Sequence, residues 1–236
     1  MHLANGNGMR IGNCDIKRLG AICGIAGPSV YFIVVVVLGF LYEGYSHKTQ
    51  TMSELGAYAA PHHLVMNVAG LGLLGGTLII FAFGLNAGVA RGAGARLWLI
   101  LVSISGLALV LTAVLPTDPG GADNTTTGVL HSIFATIAAI AMVLALPVLL
   151  PRLHKDDRWR RYSGFTLAVA VLALLISALF GFSLISGWDG VLQRVSMALP
   201  FIWVVIMSVR LLRLYGDGGD PPAETSHHSG VPRQWL

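Results

Sequence analysis

Charged side chains are scarce in this 236-residue chain. Only 11% of the residues are Asp, Glu, Lys or Arg, whereas 55% are hydrophobic and the mean hydropathy is +0.73. A soluble domain typically carries about 25% charged residues. The scarcity therefore excludes an ordinary soluble domain and predicts a protein that lies in a lipid bilayer.

Several signatures of catalysis are also missing. The sequence contains no dinucleotide fingerprint, no P-loop and no haem motif, and no serine lies in a nucleophile elbow. The two cysteines, Cys14 and Cys23, do not form a Cys-x-x-Cys pair. Neither a structural disulfide nor a paired-thiolate metal site is therefore expected.

Six apolar stretches are each long enough to cross a bilayer, which takes about 20 helical residues. Runs such as 30–41 and 165–179 are continuously apolar and lack the alternation of a membrane β-strand. Since a backbone in lipid must satisfy its own hydrogen bonds, these stretches are predicted to be helices. The sequence thus predicts an all-α membrane protein, a six-transmembrane-helix bundle with spans near 20–42, 62–85, 95–115, 128–150, 164–186 and 191–214.

The positive charges predict the orientation of this bundle. Of the 15 lysines and arginines, all except Lys48 and Arg194 fall in the terminal segments or in the second and fourth connections. By the positive-inside rule, both termini are cytoplasmic. The charge fits a multi-pass plasma-membrane protein in a lipid bilayer, with no nucleic-acid partner. Residues 1–19 are expected to form a cytoplasmic segment, 20–214 the membrane domain and 215–236 a disordered tail.

Glycines and one proline predict where the helices touch or bend. Gly20 and Gly24 are four residues apart, as are Gly72 and Gly76, and such pairs allow close helix approach. The Gly27-Pro28 pair is expected to kink or loosen the first helix.

Polar residues concentrate on the opposite, extracytoplasmic side. Three outer turns each contribute a carboxylate and at least one His, Ser or Arg. Ionisable groups at a helix mouth are costly unless they are paired or solvated, so they are candidates for a functional site. The predicted outer polar cluster comprises Tyr45, His47, Ser53, Glu54, Asp118, His131, Gln193 and Arg194. Arg194 is expected to pair with an outer carboxylate, either Glu54 or Asp118.

Five short motifs in this region follow one another on matching helix ends. They are Gly44-Tyr45-Ser46-His47, Ser53-Glu54-Leu55-Gly56, Pro116-Thr117-Asp118, Leu130-His131-Ser132 and Gln193-Arg194. The combined pattern resembles the integral-membrane family called domain of unknown function 998. The resemblance implies a six-helix bundle found largely in prokaryotic membranes, and it implies no particular activity, substrate or cofactor.

Three functions remain open for the outer cluster. In the first, the polar residues tie the helices together and the protein is a scaffold, sensor or partner subunit; Ser53 then caps a short helix that begins at Glu54. The second is a metal-dependent membrane hydrolase acting on lipid amides or esters. The third is a transporter or binder of a small polar solute, although the middle of each span lacks charge. The sequence favours the first. For the second, the candidate zinc ligands are His47, His62, Asp118 and His131.

Overall fold

The computed structural model describes residues 13–121 and 124–215, and every regular element within them is helical. Six helices are long and apolar enough to cross a membrane, which confirms the predicted fold class. Their ends lie within seven residues of the predicted spans. Most of the predicted N-terminal segment and tail falls outside the described residues. The helices are α1 (Asn13–Leu41), α2 (His63–Gly88), α3 (Ala95–Val114), α4 (Thr126–Lys155), α5 (Tyr162–Gly181) and α6 (Asp189–Tyr215).

The six helices form a ring in sequence order. Each helix packs against the next, and α6 closes the ring on α1. The connections 42–62, 115–125 and 182–188 lie at one end of the ring, which we call the loop face. The connections 89–94 and 156–161 lie at the other end, which we call the basic face. That the basic face is the cytoplasmic one stays a prediction from charge.

Large apolar side chains cover the outside of this ring. Examples from four helices are Ile33, Leu107, Leu144 and Leu174, which are 62%, 53%, 50% and 59% exposed. A soluble monomer rarely exposes so continuous an apolar surface. In a bilayer the same side chains contact lipid tails, so the protein is a multi-pass membrane protein.

In the basic half of the ring, α1 crosses its neighbours closely because it carries glycine. A Cβ atom on Gly20 would lie 2.6 Å from the Cα atom of Gly84, and one on Gly24 would lie 2.1 Å from the Oγ atom of Ser208. Gly20 and Gly24 therefore mark helix contacts, as predicted. Gly76 does not, because a Cβ atom there would meet nothing within 4 Å.

A helix irregularity occurs in α2, whereas α1 continues as one helix through the Gly27-Pro28 pair. The α1 helix runs from Asn13 to Leu41 with Pro28 inside it. In α2, by contrast, residues Met66–Gly72 form a π-helical segment. Within this segment, the Asn67 amide donates to the backbone oxygen of Gly56 at 3.0 Å. The irregular turn thus attaches α2 to the first loop of the loop face.

A buried arginine organises the basic face. Arg152 of α4 is 2% exposed. Its guanidinium donates to Oδ1 of Asn86 and to the backbone oxygens of Asn86, Val89 and Ala90, at 2.8–3.1 Å. These acceptors lie at the end of α2, so Arg152 fixes the α2–α3 connection against α4. In the sequence, Arg152 is one of the positive charges that predict how the protein is oriented in the membrane. Its contacts also give it a structural role.

A second network continues from this point. Asp156 accepts the backbone N–H of Ala90 at 2.9 Å and pairs with Arg158 at 2.8 Å. Burial raises the pKa of Asp156, but hydrogen bonds from Arg158 and Ala90 outweigh burial and hold that pKa below its usual range. Arg158 also donates to the hydroxyl of Tyr215, which donates to the backbone oxygen of Gly88. The ends of α2, α4 and α6 are joined by these contacts.

Candidate functional site

Arg194, near the start of α6, organises the loop face. Its Nη1 donates to the backbone oxygens of His47, Gln50 and Gly190 at 2.8–2.9 Å, and its Nη2 donates to the hydroxyl of Tyr45. The prediction that Arg194 pairs with Glu54 or Asp118 is wrong, because Arg194 forms no ion pair within the residues that the structure describes. Three converging carbonyl dipoles supply the negative potential instead.

The first loop lies directly on the first turn of α6. A Cβ atom on Gly190 would lie 2.4 Å from the backbone oxygen of Gln50, so this position requires glycine. The side-chain oxygen of Gln193 accepts the backbone N–H of Met52. The backbone N–H of Val191 donates to the backbone oxygen of Lys48 at 3.2 Å. Loop and helix therefore form one hydrogen-bonded unit.

The Glu54 carboxylate is used within its own turn. It accepts the backbone N–H and the hydroxyl of Thr51 at 2.8 and 3.1 Å, and the side-chain amide of Gln50 at 3.1 Å. The short helix here is a 3₁₀ turn, Ser53–Gly56, whose N-cap is Met52. The expected cap by Ser53 is therefore wrong, because Ser53 lies inside the turn. Its hydroxyl instead accepts from Gln193 at 3.5 Å.

Tyr45 and His47 pack beside Arg194. The Tyr45 hydroxyl donates to the backbone oxygen of Thr51 at 2.8 Å, and its ring meets His47 edge to face. Burial raises the pKa of Tyr45, against the opposing effect of Arg194. Burial, followed by the charge of Arg194, lowers the pKa of His47. This shift favours the neutral imidazole, which packs here against the rings of Tyr45 and Phe40.

Asp118 belongs to a different group of contacts. It accepts the backbone N–H groups of Asn124 and Thr125 at 2.9 and 2.8 Å, and the Thr125 hydroxyl at 2.9 Å. These bonds, the Thr125 backbone first, lower the pKa of Asp118. The Thr125 hydroxyl in turn caps α4 by accepting from Gly128. Asp118 thus shapes the α3–α4 connection.

The proposed zinc ligands are not brought together. His131 places Nδ1 2.7 Å from the backbone oxygen of Leu115 and so joins α4 to the end of α3. His62 is exposed at the start of α2. Across 13–121 and 124–215, no group of three or more His, Cys, Asp or Glu side chains could hold a metal ion. The placement of His47, His62, Asp118 and His131 thus gives the zinc hypothesis no support.

A cavity of about 550 Å³ opens between the helices in the loop half of the ring. All six helices contribute to its lining, for example through Tyr31 of α1, Ser105 of α3 and Phe201 of α6. Leu144 and Leu174, which also line it, are 50% and 59% exposed, so the cavity reaches the lipid-facing surface between α4 and α5. Its α6 wall runs from residue 193 to residue 201, a rise of about 12 Å.

Three polar side chains mark the end of the cavity next to the loop face: Tyr31, Ser53 and Gln193. Tyr31 is 1% exposed, and its hydroxyl lies 3.5 Å from the sulfur atoms of Met52 and Met197. Ser53 and Gln193 belong to the predicted polar cluster, so two of its members line this end of the cavity. Sequence reasoning missed Tyr31, because a single Tyr inside an apolar run is ordinary; its only signal was a polar group far from either end of a span.

The family expected from the motifs is the one that matches. The family described as protein of unknown function (DUF998) matches residues 25–210. The chain belongs to this family. No curated protein and no solved structure is detectably similar to it.

Proposed function

We propose that this member of the DUF998 family is a non-catalytic membrane sensor or partner subunit that holds a lipid-like molecule in its central cavity. The observation that carries this proposal is the cavity itself. A volume of about 550 Å³ lies within the range of small-molecule sites, roughly 300–1,000 Å³. Its lining is mostly apolar with several hydroxyl and amide groups, three of them at the end next to the loop face, and it reaches the lipid-facing surface. An amphipathic molecule from the adjacent leaflet fits this arrangement.

The first loop is well placed to report that the cavity is occupied. Gln193 lines the cavity and also accepts the backbone N–H of Met52. The next residue, Arg194, holds three backbone oxygens of the same unit. A molecule that contacts Gln193 or Ser53 therefore contacts the residues that fix the loop. A ligand shifts a conformational equilibrium by its differential affinity, so occupancy alters the loop to the extent that these contacts differ between its conformations.

The contacts of the outer cluster favour this function over the two alternatives. Glu54 and Asp118 accept backbone N–H groups of their own loops, and Arg194 donates to a backbone oxygen of the first loop, which supports a structural role. A hydrolase would need polar groups converging on one reacting bond. A transporter of polar solutes would need a polar path, whereas this cavity is mainly apolar. We place the loop face outside the cell and the protein in the plasma membrane, on the basis of charge.

The test compares two alanine-to-phenylalanine changes on α5. Ala178 lines the cavity, whereas Ala168 is exposed and does not line it. Wild type, Ala178→Phe and Ala168→Phe are purified in nanodiscs and offered single-chain amphiphiles of equal chain length with neutral, zwitterionic or anionic headgroups. Native mass spectrometry measures binding, and hydrogen exchange measures protection of the amides in 45–54.

Binding of one molecule per chain to wild type and Ala168→Phe, weakened about tenfold or more in Ala178→Phe, supports the proposal. Exchange in 45–54 should change on binding in the first two proteins only. If no amphiphile distinguishes the two variants, the cavity is not a binding site and the proposed function fails. Binding without any change in 45–54 would overturn the sensor role.

A further inference from the structure

The polar end of the cavity holds hydrogen-bonding groups that are only weakly engaged. The Gln193 amide reaches the Ser53 hydroxyl at 3.5 Å, well beyond the usual N–H···O separation of about 2.9–3.0 Å. The Tyr31 hydroxyl meets two thioether sulfur atoms at 3.5 Å, and such sulfur atoms are weak acceptors. Three side chains from α1, the first loop and α6 thus retain hydrogen-bonding capacity at one place.

Two other hydroxyls of the cavity wall differ in this respect. Ser105 donates to the backbone oxygen of Ala138 at 2.9 Å, and Thr112 donates to that of Ala108 at 2.8 Å. Such bonds to the backbone use up the single donor of each hydroxyl. Ser105 and Thr112 therefore have less hydrogen-bonding capacity left for a bound molecule than Tyr31, Ser53 and Gln193.

The polar end also lacks formal charge. Among the described residues, those that line the cavity include no Asp, Glu, Lys, Arg or His. Arg194 is near in sequence but directs its Nη1 to backbone oxygens and its Nη2 to Tyr45. A carboxylate or phosphate at this depth would lose its hydration without gaining a cation, which is costly. A neutral headgroup with acceptor oxygens avoids that cost.

The acyl chain of a ligand contributes little to selectivity. Lipid tails are as apolar as the leucine side chains of the cavity, so a chain that leaves the bilayer gains little by transfer alone. Discrimination between molecules must therefore come from the headgroup. Resting on the proposed function, we propose that Tyr31, Ser53 and Gln193 form a headgroup site for an uncharged single-chain lipid, such as a fatty-acid monoester of glycerol.

Two probes that differ by one phosphate group test this site. Glycerol monooleate and its phosphate ester share the same chain and glycerol, and only the second is an anion. Both compete for the protein in nanodiscs, and native mass spectrometry reports the bound ratio. The variants are the double change Tyr31→Phe with Ser53→Ala, which removes two hydroxyls, and the control Thr112→Val, which removes a hydroxyl already engaged by the backbone.

Wild type should prefer the neutral probe by about tenfold or more. Loss of two hydrogen bonds should weaken neutral binding by about fivefold or more and shrink the preference, whereas Thr112→Val should keep it. Equal binding of both probes by wild type would overturn the headgroup proposal and leave the proposed function intact. A preference that survives the double change would also overturn it. If neither these probes nor any other amphiphile distinguishes Ala178→Phe from Ala168→Phe, both proposals fail together.

Discussion

The two ends of this helix ring use the same device to different effect. On each face an arginine donates to several backbone oxygens of a connection: Arg152 on the basic face and Arg194 on the loop face. Arg152 is 2% exposed and lies among close helix crossings, whereas Arg194 is half-buried beside a cavity. The contrast suggests that the basic half provides rigidity and that the loop half has room for a function.

The arginine comparison should give the largest effect. Arg152→Lys removes the planar fork from a buried site and leaves several backbone oxygens without a donor, which should lower the free energy of unfolding by about 3 kcal/mol. Arg194 is only half-buried, so the cost of Arg194→Lys should be smaller, about 1 kcal/mol. Unfolding in mixed micelles with increasing SDS, followed by tryptophan fluorescence, measures both.

The exposed Arg91→Lys serves as the control and should change the free energy of unfolding by less than about 0.5 kcal/mol. Equal losses at Arg152 and Arg194 would contradict the proposed difference between the two halves. Hydrogen exchange adds a second criterion, since Arg194→Lys should loosen residues 45–54 and leave the connection 89–94 protected.

The glycine comparison tests the rigidity of the basic half more locally. Gly20→Ala puts a methyl group 2.6 Å from the backbone of Gly84, and neither backbone can yield cheaply. We expect a loss of about 1–3 kcal/mol in the free energy of unfolding. Gly76→Ala is the matched change, because a methyl group there meets no atom within 4 Å. It should be neutral or slightly stabilising, since alanine is the better helix former. Similar losses for both would mean that the close crossing of α1 and α2 does not matter for stability.

Hydropathy predicted the helices because each span is a long local signal. The partners of Arg194 were not predictable in the same way. A carbonyl oxygen is present at every residue, and only the path of the loop brings those of His47 and Gln50 to the guanidinium. The cavity was equally hidden, because a void depends on how all six helices leave space between them. Asp118 and His131 were assigned to the same cluster as Arg194, but each of them is engaged within the α3–α4 connection.

The smallest expected effect is on thermal stability in acid. It distinguishes the two faces by the kind of partner that the carboxylate on each face has. Asp118 and Asp156 both have a pKa below the ordinary value of 3.8. A lowered folded-state pKa means that the ionised group stabilises the fold at neutral pH, and that this contribution disappears as the pH falls from the ordinary value through the lower one. Asp118→Asn and Asp156→Asn should therefore each lower the melting temperature at pH 7 and lessen its fall toward about pH 3.

The donors to Asp118 are neutral, whereas Asp156 pairs with Arg158. Added salt should thus reduce the effect of Asp156→Asn and leave that of Asp118→Asn unchanged, because salt screens ion pairs but not hydrogen bonds from neutral donors. The exposed Asp157→Asn controls for net charge, and an equal salt response at Asp118 and Asp156 would contradict the assignment of their partners.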